Sequence, residues 1–198
     1  MPKINTIQLD ATPSLDDKVL GTAVDDGAAT RNFLVRDILN LGNGSTVQPG
    51  WARYDDTVYT SSNKLSLSNG NEVVIPNNAG NVVRSPEALD FYNSSTQKIL
   101  GLAENDTYMF TFVFKASSPN TNQTHLEWRL VGDGEISRVG GSIGYFKGNN
   151  VEQNEQIVCQ YYTDADFVAN GVEARITSVG NSSSMWDIIF FIQRVQKG

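Results

Sequence analysis

The sequence predicts a mainly β protein: an antiparallel β-sandwich domain follows an extended N-terminal arm that carries one short helix. From residue 51 onward, short stretches rich in apolar and aromatic residues alternate with clusters of asparagine, glycine and serine. This alternation is typical of strands joined by tight turns. Before residue 45 the apolar residues are too few to form a core, so this arm needs another surface to bury against.

The arm spans residues 1–41 and is predicted to begin as a ribbon. Its short apolar stretches are interrupted by two acidic turn signals, Asp16-Asp17 and Asp25-Asp26-Gly27. A short helix is expected next, because a capping residue precedes apolar residues at helical spacing and Gly42 can end the helix. The cap is Thr30 or Asn32, and the spaced residues are Phe33, Leu34, Ile38 and Leu41.

Residues 42–50, GNGSTVQPG, contain almost nothing apolar and predict a linker. The sandwich domain then occupies residues 51–198. Its predicted strands are 57–60, 64–67, 72–75, 98–100, 108–115, 126–131, 142–146, 156–162, 172–177 and 186–195. The glycines of residues 131–146 are interpreted as hairpin turns, since neither a Lys-Ser/Thr pair nor a helix pattern follows them.

Two strands reveal which way their side chains face. In YMFTFVFKA, residues 108–116, every second residue is aromatic, so one face of this strand is predicted to line the core. In the terminal strand every residue from Ile188 to Ile192 is apolar, so both faces of the strand carry apolar side chains. This is typical of a strand covered on both sides. A sandwich covers only its inner faces, so a second subunit is expected to cover the outer one. The predicted oligomer interface is Trp186, Ile189, Phe190 and Phe191.

Composition narrows the possible partners. The formal net charge of -7 disfavours attraction to nucleic acid or to anionic lipid. The chain lacks an apolar stretch long enough for a secretory signal or a membrane span, so we expect a soluble, unprocessed protein without membrane insertion. The single cysteine, Cys159, lies in an apolar stretch and is expected to be buried packing. The single histidine, His125, is expected to be an ordinary strand residue.

Asp55 and Asp56 are the most conspicuous candidates for chemistry. Adjacent residues on an extended chain point to opposite faces, so they cannot form an opposed catalytic pair by adjacency. They could form a turn or hold a loop, or one of them could join other carboxylates in a calcium site, although no D-x-D-x-D-G loop is present. The other carboxylates considered are Asp90, Glu104 and Asp106. We expect no metal, no cofactor and no enzymatic activity.

Exposed tyrosines could offer flat faces to sugar rings or to protein partners. The candidates are Tyr54, Tyr59, Tyr92, Tyr161 and Tyr162. Each of them is more commonly a core or subunit contact.

Three stretches together, residues 51–80, 91–116 and 186–198, resemble a family of bacteriophage virion proteins. In that family a Trp, a Tyr-Asp-Thr-Tyr-Thr-like stretch and an asparagine-rich loop open a C-terminal jelly roll that ends in a long apolar strand. Residues 10–39 resemble the attachment segments of phage fibre and head-fibre proteins, with the pattern D-K-x-x-G-T-x-x-D-x-G-x-T-x-N-F. The matching residues are Asp17, Lys18, Gly21, Thr22, Asp26, Gly27, Thr30, Asn32 and Phe33.

The resemblance implies a homotrimer of tumour-necrosis-factor-like jelly rolls on the virion surface, docked through its arm to the capsid or to another virion protein. The first hypothesis is therefore a non-enzymatic head fibre or capsid decoration protein, and the resemblance leaves a host-surface glycan open as a further partner. The alternative is a tail-associated receptor-binding or carbohydrate-depolymerising fibre protein. A cellular lectin-like sandwich is a third hypothesis.

Overall fold

The computed structural model describes residues 18–23, 29–34, 50–85, 90–120, 124–144, 146 and 148–198. The chain divides into two compact units, Met1–Thr46 and Val47–Gly198. In the first unit, strand β1 (Lys18–Ala23) pairs with strand β2 (Ala29–Leu34) in an antiparallel hairpin. This hairpin confirms the predicted ribbon for the described residues.

The predicted helix does not begin where its cap was expected. Thr30, Asn32, Phe33 and Leu34 lie in β2 and pair with β1, so the prediction was wrong for these four positions. The helix was predicted from a capping residue, apolar residues at helical spacing and Gly42, whereas these four positions pair with β1 as a strand. Ile38 and Leu41, the remaining positions of that prediction, lie outside the described residues.

The second unit is built almost entirely of strands. They are β3 (Trp51–Asp55), β4 (Leu65–Leu67), β5 (Glu72–Val74), β6 (Asn81–Arg84), β7 (Tyr92–Asn93), β8 (Lys98–Ile99), β9 (Thr107–Ser117), β10 (His125–Val131), β11 (Ser137–Ile143), β12 (Gln153–Tyr162), β13 (Glu173–Val179) and β14 (Ser183–Gln196). A short helix, α1 (Ala165–Asn170), lies between β12 and β13. The Asp164 carboxylate accepts a hydrogen bond from the Phe167 amide at 2.9 Å and caps this helix.

The strands form two principal antiparallel sheets whose order is that of a jelly roll. One sheet has the order β12-β9-β14-β3-β6, with β4 also paired to β14, and the other has the order β11-β10-β13-β5. Four antiparallel strand pairs nest within one another along the chain: β3 with β14, β5 with β13, β9 with β12, and β10 with β11. Such nesting arises when one long antiparallel hairpin is rolled into two facing sheets. The predicted sandwich is therefore confirmed.

The core lies between the two sheets and is rich in aromatic rings. On β9 the side chains of Tyr108, Phe110, Phe112 and Phe114 are all buried, as the alternation predicted. Phe112 packs edge to face against Phe190 of β14, with ring centroids 4.8 Å apart. Strand β14 lies between β9 and β3, so its backbone is paired on both sides.

Several strand boundaries differ from the predictions. The opening strand is β3, whereas residues 57–60 form a loop. Strand β11 begins at Ser137, five residues before its predicted start, and Gly140 and Gly141 lie within it instead of in a turn. The short strands β6 and β7 were not predicted. Every residue of β6 is exposed, so its sequence has no apolar alternation to signal a strand.

Candidate functional site

Asp55 and Asp56 hold the local structure around the end of β3. The Asp56 carboxylate accepts hydrogen bonds from the backbone amides of Tyr59 at 2.6 Å, Val58 at 3.0 Å and Asn78 at 3.0 Å. Asp55 instead forms an ion pair with Arg53 at 2.7 Å. The loop-holding interpretation is confirmed for Asp56, with the difference that its loop follows the opening strand instead of preceding it.

Two of the other carboxylates considered for a calcium site, Asp90 and Asp106, have partners of their own. Asp90 forms an ion pair with Arg84. Asp106 is fully buried, and its carboxylate lies 3.4 Å from Arg194 Nη1 and accepts a hydrogen bond from the Gly198 amide at 3.0 Å. Among the residues that the structure describes, no group of three or more His, Cys, Asp or Glu side chains could hold a metal ion.

Cys159 and His125 occupy ordinary strand positions. Cys159 is buried in the core, and desolvation raises the pKa of its thiol to about 12, so the reactive thiolate is strongly disfavoured. This confirms the expectation of buried packing. His125 lies on β10, with its Nε2 atom 3.4 Å from the Glu127 carboxylate.

Within the described residues, no helix is long and apolar enough to cross a membrane.

Four of the five candidate tyrosines are buried in the core or pack against it, and Tyr162 is exposed. Tyr54 and Tyr92 are buried, and burial raises the pKa of both phenols. Both hydroxyl groups form hydrogen bonds within the core. The Tyr54 hydroxyl, for example, accepts a hydrogen bond from the Phe91 amide at 2.9 Å. Tyr59 is partly buried against the core. Tyr161 and Tyr162 stack on each other with ring centroids 5.0 Å apart at the end of β12.

The attachment residues implied by the resemblance fall on the N-terminal hairpin where they are described. Lys18, Gly21 and Thr22 lie on β1, and Thr30, Asn32 and Phe33 lie on β2. Thr22 pairs directly with Thr30. Asp17, Asp26 and Gly27 lie outside the described residues. The described members of the pattern are therefore brought together on two paired strands.

The outward face of the six-stranded sheet carries a group of apolar side chains among polar ones. Because side chains alternate along a strand, the residues between the buried aromatics of β9 point away from the core. One cross-strand row on this face runs from Val158 through Thr111 and Phe191 to Arg53 and Val83. Val158 is 55% exposed. We call this surface the apolar face and define it by Trp51, Met109, Val113, Val158, Ile189 and Phe191.

The predicted interface residues divide between this face and the interior. Ile189 and Phe191 are half-buried on the apolar face, where Phe191 stacks on Trp51 with ring centroids 5.7 Å apart. Phe190 and Trp186 are each 1% exposed within the single chain, so assigning them to an interface was wrong. Phe190 belongs to the core.

Trp186 owes its burial to the chain's own loop. A β-bulge between Trp186 and Ile189 interrupts the regular alternation of β14. Beside the bulge, the Asp187 amide donates to the Tyr59 carbonyl at 2.9 Å. The Lys64 ammonium then lies over the Trp186 indole, 3.7 Å from the ring centroid. The loop after β3 therefore covers Trp186 in place of a partner subunit.

The outward face of the four-stranded sheet is charged instead. Glu72 accepts two hydrogen bonds from the Arg129 guanidinium, at 2.5 and 2.6 Å, and lies 3.2 Å from Arg175 Nη1. Arg175 also pairs with Glu173 at 2.8 Å and with Glu135 at 2.5 Å. Five charged side chains from four chain segments thus form one ion network.

Contacts within the ion network lower the pKa values of two of its carboxyl groups. The hydrogen bonds from Arg129 hold the pKa of the Glu72 carboxyl below its ordinary value, against the opposing effect of desolvation. The Arg175 guanidinium lowers the pKa of the Glu135 carboxyl in the same way. Both shifts favour the charged form of these two carboxyl groups. Sequence patterns did not identify this network, because Glu72 and Arg175 are 103 residues apart.

A shallow groove of about 390 Å³ lies beside the network. It crosses the four-stranded sheet, and its lining includes Glu72, Glu127, Arg129, Ser142 and Thr177. At Gly140, which pairs with Arg129, there is no side chain. The molecule thus presents two outward surfaces of different chemistry, one apolar and one polar with a groove.

These features define a mainly β, antiparallel jelly-roll protein with an apolar group of side chains on one outward sheet face and an ion network on the other. No protein-family model matches the chain, and no curated protein matches it.

Among solved structures, the chain is similar to the Eiger tumour necrosis factor of S. frugiperda, with a TM-score of 0.46 and 9% identity over 76% of this chain and 96% of that one. It is similar to the vertex protein P5 of PRD1, with a TM-score of 0.44 and 10% identity over 98% of this chain and 90% of that one. It is also similar to VP2 of infectious bursal disease virus, with a TM-score of 0.44 and 8% identity over 94% of this chain and 41% of VP2.

These TM-scores lie below 0.5. The strand order of the chain itself defines the jelly roll.

Proposed function

We propose that this chain is a non-enzymatic structural protein of a bacteriophage particle. It acts as a homotrimeric head fibre or capsid decoration protein on the virion surface, and the N-terminal segment holds it on the particle. The apolar face is the observation that carries the oligomeric part of this proposal. The attachment part is supported by the resemblance of residues 10–39 to phage attachment segments.

The apolar face is suited to a second copy of the same chain. Apolar side chains gathered on the outer face of a sheet typically mark an interaction surface in soluble proteins. The opposite outward face carries the ion network, so a partner would have to remove water from charged groups there. The apolar face loses water more readily. A surface defined by valine, isoleucine, methionine and aromatic side chains has the composition of an oligomer interface core. The family that the sequence resembles makes three the expected number of copies.

The oligomer is tested by measuring the mass of the full chain in solution by light scattering. We expect three times the chain mass of 21.7 kDa. The variant Val158→Glu places a charge on the apolar face and should weaken association by more than about tenfold, because the carboxylate would be desolvated without a partner. A full-length protein that remains a monomer at micromolar concentration would contradict the oligomeric proposal.

A matched control is available for that variant. Ile136 lies in the turn between β10 and β11, away from the apolar face, and is 56% exposed against 55% for Val158. Ile136→Glu therefore introduces the same charge at the same exposure. Its mass should equal that of the unmodified protein.

Attachment is tested with particles of the corresponding phage and labelled protein. Deletion of residues 1–46, the first compact unit, should leave an oligomer of residues 47–198 that no longer joins particles. The full chain should join them. If the truncated protein decorates particles as well as the full chain does, the N-terminal segment is not the anchor.

Capsule polysaccharide tests the non-enzymatic part of the proposal. Asp55→Asn and Asp56→Asn, compared with the unmodified chain on capsule polysaccharide, should leave the polysaccharide intact in all three cases. If the unmodified chain cleaves the polysaccharide and the two variants do not, the depolymerising alternative is favoured.

A further inference from the structure

The groove on the four-stranded sheet is built from side chains that the proposed structural role does not use. One cross-strand row on this face runs from Ser142 through Glu127 and Thr177 to Glu72, across strands β11, β10, β13 and β5. Every side chain in this row carries an oxygen that forms hydrogen bonds. Neighbouring strands lie about 4.8 Å apart, so these groups recur at about that spacing along the row.

The edge strand β11 contributes no side chain to the groove at Gly140. A Cβ atom on Gly140 would lie 2.7 Å from the Trp128 carbonyl oxygen and 3.0 Å from the Arg129 Cβ atom. No other residue fits there without moving the backbone of β10. The wall of the groove at this point is therefore bare backbone, and a ligand can approach the sheet closely.

We infer that this groove binds a neutral, hydroxyl-rich ligand of the saccharide class. Hydroxyl groups of a sugar both donate and accept, and the row alternates hydroxyl groups, which do both, with carboxylates, which only accept. Two neighbouring sugar hydroxyls can donate to the two oxygens of one carboxylate, as Glu127 offers in the middle of the row. The site lies within one chain, so the inference does not rest on the trimer or on particle attachment.

The charges of the groove select against acidic sugars. Glu72 is already compensated by Arg129 and Arg175, which leaves Glu127 to set the sign of the field over the row. The whole chain also carries a formal net charge of -7. A carboxylate or sulfate on the ligand would therefore be repelled, whereas a neutral hexose chain pays no such penalty.

The inference is tested by NMR with isotope-labelled full chain and three probes: maltotetraose, chitotetraose and the acidic sugar sialyllactose. Because the groove is shallow and open to solvent, we expect dissociation constants on the order of 1 mM for at least one neutral probe. The amide signals that shift should belong to Glu127, Arg129, Gly140, Ser142 and Thr177. Sialyllactose should bind more weakly by tenfold or more.

Two variants connect binding to the groove. Ser142→Trp fills it from the exposed edge strand β11 and should weaken binding at least tenfold, whereas Ser95→Trp places the same ring on the exposed turn between β7 and β8 and should change nothing. Thr177→Val removes one hydroxyl group at nearly constant shape and should weaken binding about threefold to tenfold, as loss of one neutral hydrogen bond does. The signals that do not shift report whether each variant is folded.

Three results would overturn the inference: no shift with either neutral probe at 10-fold above the expected constant, equal binding by Ser142→Trp and Ser95→Trp, or tighter binding of sialyllactose. The oligomer variant Val158→Glu should bind the neutral probe as the unmodified chain does. Its failure to associate therefore tests the proposed function, and its sugar binding tests the groove.

Discussion

The two sheets of this jelly roll share one core but differ in what they show to solvent. The outward face of the six-stranded sheet presents a group of valine, isoleucine, methionine and aromatic side chains among polar ones, while that of the four-stranded sheet presents a network of three carboxylates and two guanidinium groups. Burial drives folding equally on both inward faces. We propose that the difference reflects what each outward face meets, and substitutions on the two faces can test this.

The first prediction compares Phe190 and Phe191, adjacent residues on opposite sides of β14. Phe190→Ala should lower the free energy of unfolding by about 3–5 kcal/mol at any protein concentration, because it removes a fully buried ring from the core. Phe191→Ala should cost less in dilute protein and more in concentrated protein, since its ring completes the apolar face. Urea unfolding at two concentrations separates them. Equal, concentration-independent losses would mean that the apolar face meets only solvent.

The second prediction compares two arginines on the two outward faces. Arg175→Met should lower the free energy of unfolding by about 2 kcal/mol, because the Glu72, Glu135 and Glu173 carboxylates would lose a shared partner. Arg53→Met removes a single, more exposed pair with Asp55 and should cost less than about 1 kcal/mol. Thermal unfolding at low protein concentration measures both. A loss for Arg53→Met as large as that for Arg175→Met would show that the network adds nothing beyond isolated pairs.

The features that the sequence predicted are those that depend on short-range alternation. The facing of β9 could be read directly, because residues 108–115 alternate aromatic side chains with smaller or polar ones. The same propensities misplaced a strand at residues 57–60. There the Asp56 carboxylate takes the backbone amides of Val58 and Tyr59, which a strand would use in its ladder.

The features that the sequence could not predict depend on residues far apart in the chain. Strand β6 is exposed throughout and is recognisable only from its pairing with β3. The ion network needs the register of β5, β10 and β13 before Glu72, Arg129 and Arg175 can be placed together. The burial of Phe190 and Trp186 also requires the bulge in β14, which no local pattern announces. The candidate groove was missed for the same reason.

The third prediction concerns acid. The pKa of the Glu72 carboxyl is lowered below its ordinary value of 4.5, chiefly by hydrogen bonds from Arg129. A group with a lowered pKa in the folded state stabilises the protein above the unfolded-state value, and this contribution disappears as the pH falls through the folded-state value. Stability should therefore decrease below about pH 4.5.

The Glu72→Gln variant isolates that contribution. It should be about 1 kcal/mol less stable than the unmodified protein at pH 7, and the difference should shrink as the pH approaches 3. Unfolding in urea at both pH values measures it. A difference that stays constant with pH would mean that the charge of Glu72 is not what holds this face together.

The last prediction concerns Trp186, which lies on the outer side of the six-stranded sheet but is covered by Lys64 instead of by a partner. Lys64→Met keeps most of the apolar stem and removes the ammonium from above the indole, so it should cost about 0.5–1 kcal/mol. Lys64→Arg keeps a cation at this position and should restore most of that loss. Neither variant should change the oligomeric mass, because a residue sealed by its own chain contributes no surface to assembly. A change of mass with Lys64→Met would place the loop after β3 inside the interface and extend the apolar face beyond its six defining residues.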